Sequence, residues 1–216
     1  MRIALIHALK HSIAPIEASF ARLWPEAQLA NLLDDTLASD LAREGELTAA
    51  MTTRFLDLAR YARSCGADAI LFTCSAFGPC IEACAHELAP MPVLKPNEAM
   101  IEEAVSPAGA HGRVGLLATF APTLATMPAE FTAIAPDVTL VPVLASDALA
   151  ALSRGDPAEH DRLASDAARE LEGCDVIALA QFSLSSAAAR VATVTRRTVL
   201  TTPDSAVRKL RRLLNA

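Results

Sequence analysis

Two short stretches carry residues whose types could do chemistry. Leu71 to Gly78 reads LFTCSAFG, and Leu179 to Ser186 reads LAQFSLSS. Each follows a Gly, an Asp and a short apolar run: GADAILFTCS in the first, GCDVIALAQF in the second. Aligned on that pattern, Cys74 stands where Gln181 stands in the other copy. A thiol, with an ordinary pKa of about 8.5, can act as acid, base or nucleophile once its surroundings tune it. An amide exchanges no proton near neutral pH and can only donate or accept hydrogen bonds. Thr73 and Ser75 flank the thiol, and Ser183 lies two residues beyond the amide.

The elements that must position these residues alternate along the chain. Apolar runs at 2–8, 27–33, 67–73, 92–94, 113–119, 138–143, 175–180 and 197–201 read as strands, each followed by a helical pattern. The clearest helices run from Glu46 to Ser64 and from the opening DPAE. There Asp156 is the expected N-cap, Pro157 the first helical residue and Glu159 the third. Strands alternating with helices across connections too long for hairpins predict an α/β fold with parallel sheets.

The two halves also match each other. Gly66 and Gly173 stand 107 residues apart, as do Asp68 and Asp175, Ile70 and Ile177, Pro96 and Pro203, and Ala99 and Ala206. RIALIHAL at 2–9 matches RVGLLATF at 113–120 at an offset of 111. The expected architecture is two lobes related by a pseudo-twofold axis, each a mostly parallel four-stranded sheet flanked by helices, with a cleft between them. Residues 1–96 plus 204–216 form the first lobe and 97–203 the second. Ligands of parallel α/β lobes sit beyond the carboxyl ends of the strands, which is where Cys74 and Gln181 fall. On this reading they face one substrate from opposite sides. His7 ends the first strand with His11 just beyond it, either able to supply a second acid/base group. Asp34 and Asp35 close the second strand, to orient one of these histidines or to cap the next helix.

Composition bounds the rest. The 216 residues, 52% of them hydrophobic, can bury a full core, and an aromatic content of 4% means that core is mostly aliphatic. The formal net charge is −6 and the basic tail VRKLRRLLNA reads as a C-terminal helix with cations near its negative end, so nucleic acid is not an expected partner. The N-terminal stretch MRIALIHALKHS is too short and polar for a signal peptide or a membrane span. Five cysteines without framework spacing fit a reducing, cytoplasmic setting. Cys74, Cys80 and Cys84 do not have a usual zinc spacing, and no metal site is expected. Cys65, Cys80, Cys84 and Cys174 read as packing residues, and His86, His111 and His160 as solvated.

With FTCSAFG after the third strand and the duplication around it, the chain resembles the aspartate/glutamate racemase superfamily, which includes glutamate racemase, hydantoin racemase, maleate isomerase and arylmalonate decarboxylase. The resemblance covers nearly the whole chain. It implies proton chemistry on a carbon acid without pyridoxal phosphate, metal or any other cofactor, on a small carboxylate substrate. Cys74 takes the first thiol position, while Gln181 occupies the position of the second thiol. The strand ends bind the substrate's carboxylate in this family, which points to Ser75, Thr119 and Thr123, with Thr73 and Ser183 beside them.

Abstraction beside a carboxylate needs a base on one face, and inversion needs an acid on the other. Three readings follow: an isomerase or racemase whose second group is another residue such as His7; a one-thiol decarboxylase or other lyase; and a non-catalytic carboxylate-binding protein. Homodimerisation is left open. A reacting Cys74 is expected to be reachable by solvent and to have a lowered pKa.

Overall fold

The computed structural model describes residues 1–109 and 111–215, without the side chains of Ser106 and Pro107. It contains β1 (Arg2–His7), α1 (Ile13–Leu23), β2 (Gln28–Leu33), α2 (Leu37–Glu44), α3 (Ala49–Ser64), β3 (Ala69–Phe72), α4 (Gly78–Leu88), β4 (Val93–Leu94) and α5 (Glu98–Ala108). There follow β5 (Arg113–Ala118), α6 (Ala121–Ile134), β6 (Thr139–Leu144), α7 (Ala148–Ser153), α8 (Pro157–Ala167), β7 (Val176–Leu179), α9 (Ala188–Thr195), β8 (Thr198–Thr201) and α10 (Thr202–Leu213). Every strand expected from the apolar runs is present. The helix expected from Glu46 begins at Ala49, because the Thr48 hydroxyl accepts the Met51 N–H at 3.2 Å and so caps it. The DPAE opening behaves as its residue types require: Asp156 Oδ1 accepts the Glu159 N–H at 3.0 Å, with Pro157 starting the helix.

The strands form two four-stranded sheets, ordered β2-β1-β3-β4 and β6-β5-β7-β8, and every strand pairing is parallel. The chain divides into two compact units, residues 1–96 with 206–216 and residues 97–205. β3 and β7, the inner strands that lead to Cys74 and Gln181, are buried at all four of their residues. Continuous apolar runs are what a strand covered on both faces requires. In the second unit Ile177 and Leu179 pack to one side of the sheet with Leu117, Leu184 and Val191. Val176, Ala178 and Ala180 pack to the other with Met100, Met127 and Phe131.

The Asp of the repeated Gly-x-Asp has one structural cause in both units, while of the two Gly residues only Gly66 takes a positive φ. Gly66, at φ +78, makes the left-handed turn out of α3 that a side chain would strain. Two residues on, Asp68 Oδ2 accepts the Arg2 N–H at 2.7 Å, and Asp175 Oδ2 accepts the Arg113 N–H at the same 2.7 Å. Each Asp thereby pins the start of its inner strand against the neighbouring β1 or β5. That fixes a register running from Ile3↔Ala69 to Ile6↔Phe72 in one unit and from Val114↔Val176 to Leu117↔Leu179 in the other.

Two assignments of buried and exposed residues need correction. His160 is fully buried, because it shares the inward face of α8 with Ala164 and bonds Asp161 through Nδ1 at 2.8 Å. Cys65, expected to pack, is exposed as the residue that ends α3, while Cys80, Cys84 and Cys174 are buried.

Candidate active site at the strand ends

Cys74 leaves the end of β3 with extended backbone, φ −124 and ψ 122, and opens the 3-10 turn Ser75–Phe77. Gln181 leaves β7 in the same way, φ −142 and ψ 146, and opens the 3-10 turn Phe182–Ala187. The Cys74 turn is clamped from below. Phe72 before it and Phe77 after it both pack on Phe55 of α3, with ring centroids 5.1 and 4.9 Å away. The thiol is half-buried, and the Ala76 N–H donates to its sulfur. Burial outweighs that donor and pushes the Cys74 thiol up to about 11. The expected lowering is thereby reversed. The turn that follows is a single 3-10 turn with no charged neighbour, so one N–H is all that favours the thiolate.

Continuing each register one or two residues past the strand ends brings two pairs together. In the first unit His7 comes opposite Thr73, and His7 Nδ1 lies 2.8 Å from Thr73 Oγ1. The other ring nitrogen, Nε2, lies 2.9 Å from Asn31 Oδ1, and Asn31 Nδ2 donates to Glu17 Oε1 at 2.7 Å. His7 is fully buried, and burial holds its pKa below the ordinary imidazole value, against the opposing effects of the Asn31 bond and the Glu17 charge. In the second unit Thr119 comes opposite Gln181. Its N–H donates to Gln181 Oε1 at 2.5 Å and its hydroxyl at 3.0 Å. Two donors on one atom identify that atom as the amide oxygen. The amide nitrogen, with two N–H groups, makes no hydrogen bond to any described residue, on a side chain that is half-buried.

The remaining expected residues are placed as follows. Thr73, Ser75, Thr119, Thr123 and Ser183 are all buried, Thr123 in the first turn of α6 and Ser183 in the turn after Gln181. His11 lies half-buried in the 3-10 turn Lys10–Ser12. Asp34 orients no histidine: it accepts the Thr36 hydroxyl at 2.8 Å and Arg54 Nε at 3.1 Å, while Arg54 also reaches Asp40 at 2.6 Å. That cluster ties the end of β2 to α2 and α3. A cavity of about 340 Å³ opens beside it, lined by Asp40, Arg43, Thr48, Met51 and Arg54 and by no strand-end residue named above. Among the described residues no group of three or more His, Cys, Asp or Glu is placed to hold a metal ion, and no helix is long and apolar enough to cross a membrane. Asn31, Glu17 and Phe55 escaped the reading of the sequence. Asn31 alone left a signal, as a polar residue of low strand preference inside the apolar run QLANLL.

A duplicated parallel α/β chain, with a thiol at the inner strand end of one unit and an amide at the other, defines the class. The family described as Asp/Glu/hydantoin racemase matches residues 15–210, and the chain belongs to that family. No curated protein matches the sequence. Among solved structures, an allantoin racemase from Klebsiella pneumoniae superposes with a TM-score of 0.77 at 18% identity, over 100% of this chain and 88% of that one. A glutamate racemase isoform from Bacillus anthracis gives 0.77 at 12% identity, over 99% and 81%. A maleate isomerase from Pseudomonas putida gives 0.65 at 14% identity, over 100% and 93%. These likenesses establish the shared fold.

Proposed function

We propose that the chain is a racemase-family isomerase with Cys74 as its single reacting thiol. Cys74 takes a proton from one face of the carbon beside a carboxylate of a small substrate, water returns one on the other face, and reprotonation of the resulting hydroxide by the thiol closes the cycle. Membership of the family supports racemase-type function, and the position of Cys74, half-buried at an inner strand end, supports its role. The observation that carries the reading is the contrast between Cys74 and its counterpart. Gln181 has its oxygen held by Thr119 and its amide nitrogen without a partner among the described residues, which suits it to donate to a carboxylate. It exchanges no proton itself.

The same contrast favours a second reading, a one-thiol lyase of the decarboxylase type. A thiol pushed up to about 11 is protonated at neutral pH. It is therefore ready to deliver a proton to a carbanion generated when a carbon–carbon bond breaks and CO₂ leaves. The resulting thiolate then regains its proton from water. Acting first as a base, Cys74 has to lose its proton before each turnover, which substrate binding would have to assist.

The experiment is hydrogen exchange in deuterated water, followed by NMR, on a panel that includes glutamate, aspartate, allantoin, maleate and prochiral malonates. Deuterium entering one substrate, with the exchange lost in Cys74→Ala, supports the enzyme reading. Racemised product favours the isomerase, and a single labelled enantiomer from a malonate favours the lyase. Exchange that persists in Cys74→Ala overturns the role of the thiol. Binding across the panel without any exchange leaves a carboxylate-binding protein. Gln181→Cys restores a second thiol and is expected to raise racemisation relative to one-face protonation.

A further inference from the structure

We infer that Glu17, Asn31 and His7 form a positioning chain that holds Thr73, and through it the turn presenting Cys74. The inference rests on the reading of Cys74 as the reacting group. It starts from which atom can donate to which. Glu17 carries a carboxylate, which only accepts, so the Asn31 group 2.7 Å from it is the amide nitrogen. The Asn31 oxygen then faces His7 Nε2 at 2.9 Å, and Nε2 must carry a hydrogen. A neutral imidazole with its hydrogen on Nε2 has a lone pair on Nδ1, which accepts from the Thr73 hydroxyl at 2.8 Å. That hydroxyl has one hydrogen, and its alternative acceptor, the Ile6 carbonyl, is farther away at 3.4 Å.

Every member is thus committed in one direction. His7 has 0% exposure and Thr73 4%, so water does not compete for the bond between them, while Asn31 and Glu17 form the exposed outer end of the chain. Both nitrogens of His7 are engaged, which makes it a positioning residue and not a second acid or base. Thr73 is tied to β1 twice, by its hydroxyl to His7 and by its N–H to the Ile6 carbonyl at 3.0 Å. The next residue is Cys74, so the direction in which the chain leaves Thr73 helps set where its sulfur meets the Ala76 N–H.

The second unit shows that the fold itself does not need such a chain. At the duplicate positions His7 becomes Ala118 and Thr73 becomes Ala180, yet the same strand-to-turn path is made. There the link goes straight to the functional side chain, from Thr119 to Gln181. A thiol is a weaker acceptor than an amide oxygen, and the first unit grips the residue before it.

The test uses the full chain. Ring ¹⁵N NMR of histidine reads the tautomer of His7, and mass spectrometry after timed iodoacetamide reads alkylation of Cys74 against pH, with exposed Cys65 as the internal standard. His7 is expected to be neutral with its hydrogen on Nε2. Thr73→Val and Asn31→Leu are expected to weaken the Ala76 donation, moving the alkylation midpoint upward and slowing Cys74 by about threefold or more at a given pH. Thr73→Ser restores it. Glu17→Gln frees the Asn31 amide to turn and gives a mixed tautomer. If buried Cys80 and Cys84 become reactive in Thr73→Val, that variant has unfolded, and Thr73→Ser with Glu17→Gln decides. A hydrogen on Nδ1 in the wild type, or an unchanged Cys74 profile in folded variants, overturns the chain. A wild-type Cys74 that never reacts defeats the reading of the thiol instead, and the tautomer still decides the chain.

Discussion

A thiol whose environment favours the neutral form arrives at the substrate carrying its proton. The structure gives Cys74 one N–H donor and a half-buried setting whose desolvation sets the balance toward the thiol, at about 11. Alkylation of Cys74 is therefore expected to keep climbing by about tenfold per unit from about pH 7 to about pH 10; a plateau near neutral pH would contradict this. His7 gives a second pH signature. Burial lowers its folded pKa below 6.5, so below that value the unfolded chain binds the extra proton. Stability is present above about pH 6.5 and falls as pH drops toward the folded value, and His7→Gln should lose that part of the slope. Urea unfolding at a series of pH values measures it, and parallel slopes for the two proteins would refute it. At this scale the sequence showed where the thiol and the amide stand, because the duplication aligns them. It did not show the direction of the thiol's pKa or the partners of His7 and Gln181. Those depend on burial and on atoms brought in from other elements, Asn31 of β2 and Glu17 of α1 for His7 and Thr119 after β5 for Gln181, which no spacing encodes.

Elements hold the candidate site through a few identifiable contacts. Phe55 on α3 carries both Phe72 and Phe77, the residues that bracket the Cys74 turn. Phe55→Ala is expected to cost about 3–5 kcal/mol and to expose the turn, measured by urea unfolding and by faster proteolysis in the region of residues 72–78. Unchanged stability would mean the ring cluster does not hold the turn. Asp156→Ala removes the cap of α8 and is expected to cost about 1 kcal/mol, with Asp156→Asn recovering most of it. The cap was legible because Asp, Pro and Glu each have a local, chain-adjacent reason to be there. The capping of α3 by Thr48 rather than a start at Glu46 was less so, since several residues in EGELT compete for that role. His160 was misplaced for a related reason: polar neighbours hide an inward-facing position unless the i, i+4 partner Ala164 is weighed.

At the scale of the molecule, one structural unit is used twice with its polar ends rewritten. The Asp that starts each inner strand, the strand order and the inner-strand register are the same in both copies, which is why eight strands and their parallel pairing could be read from the chain. The polar residues at the strand ends differ between the copies: Cys74 against Gln181, Thr73 against Ala180, His7 against Ala118. This division of labour makes a testable statement about stability. Asp68 and Asp175 make the same 2.7 Å bond to the N–H of Arg2 and Arg113, in different units and without a shared partner. Asp68→Ala and Asp175→Ala each remove a charge-assisted hydrogen bond at the start of an inner strand, expected to be worth about 1.5–3 kcal/mol, toward the lower end because both pairs are solvent-exposed. The two losses should be similar, and the double variant should lose their sum within about 0.5 kcal/mol. Denaturant unfolding of the two single variants and the double variant measures this. A double variant departing from the sum by more than about 1 kcal/mol would mean the two copies do not hold their inner strands independently.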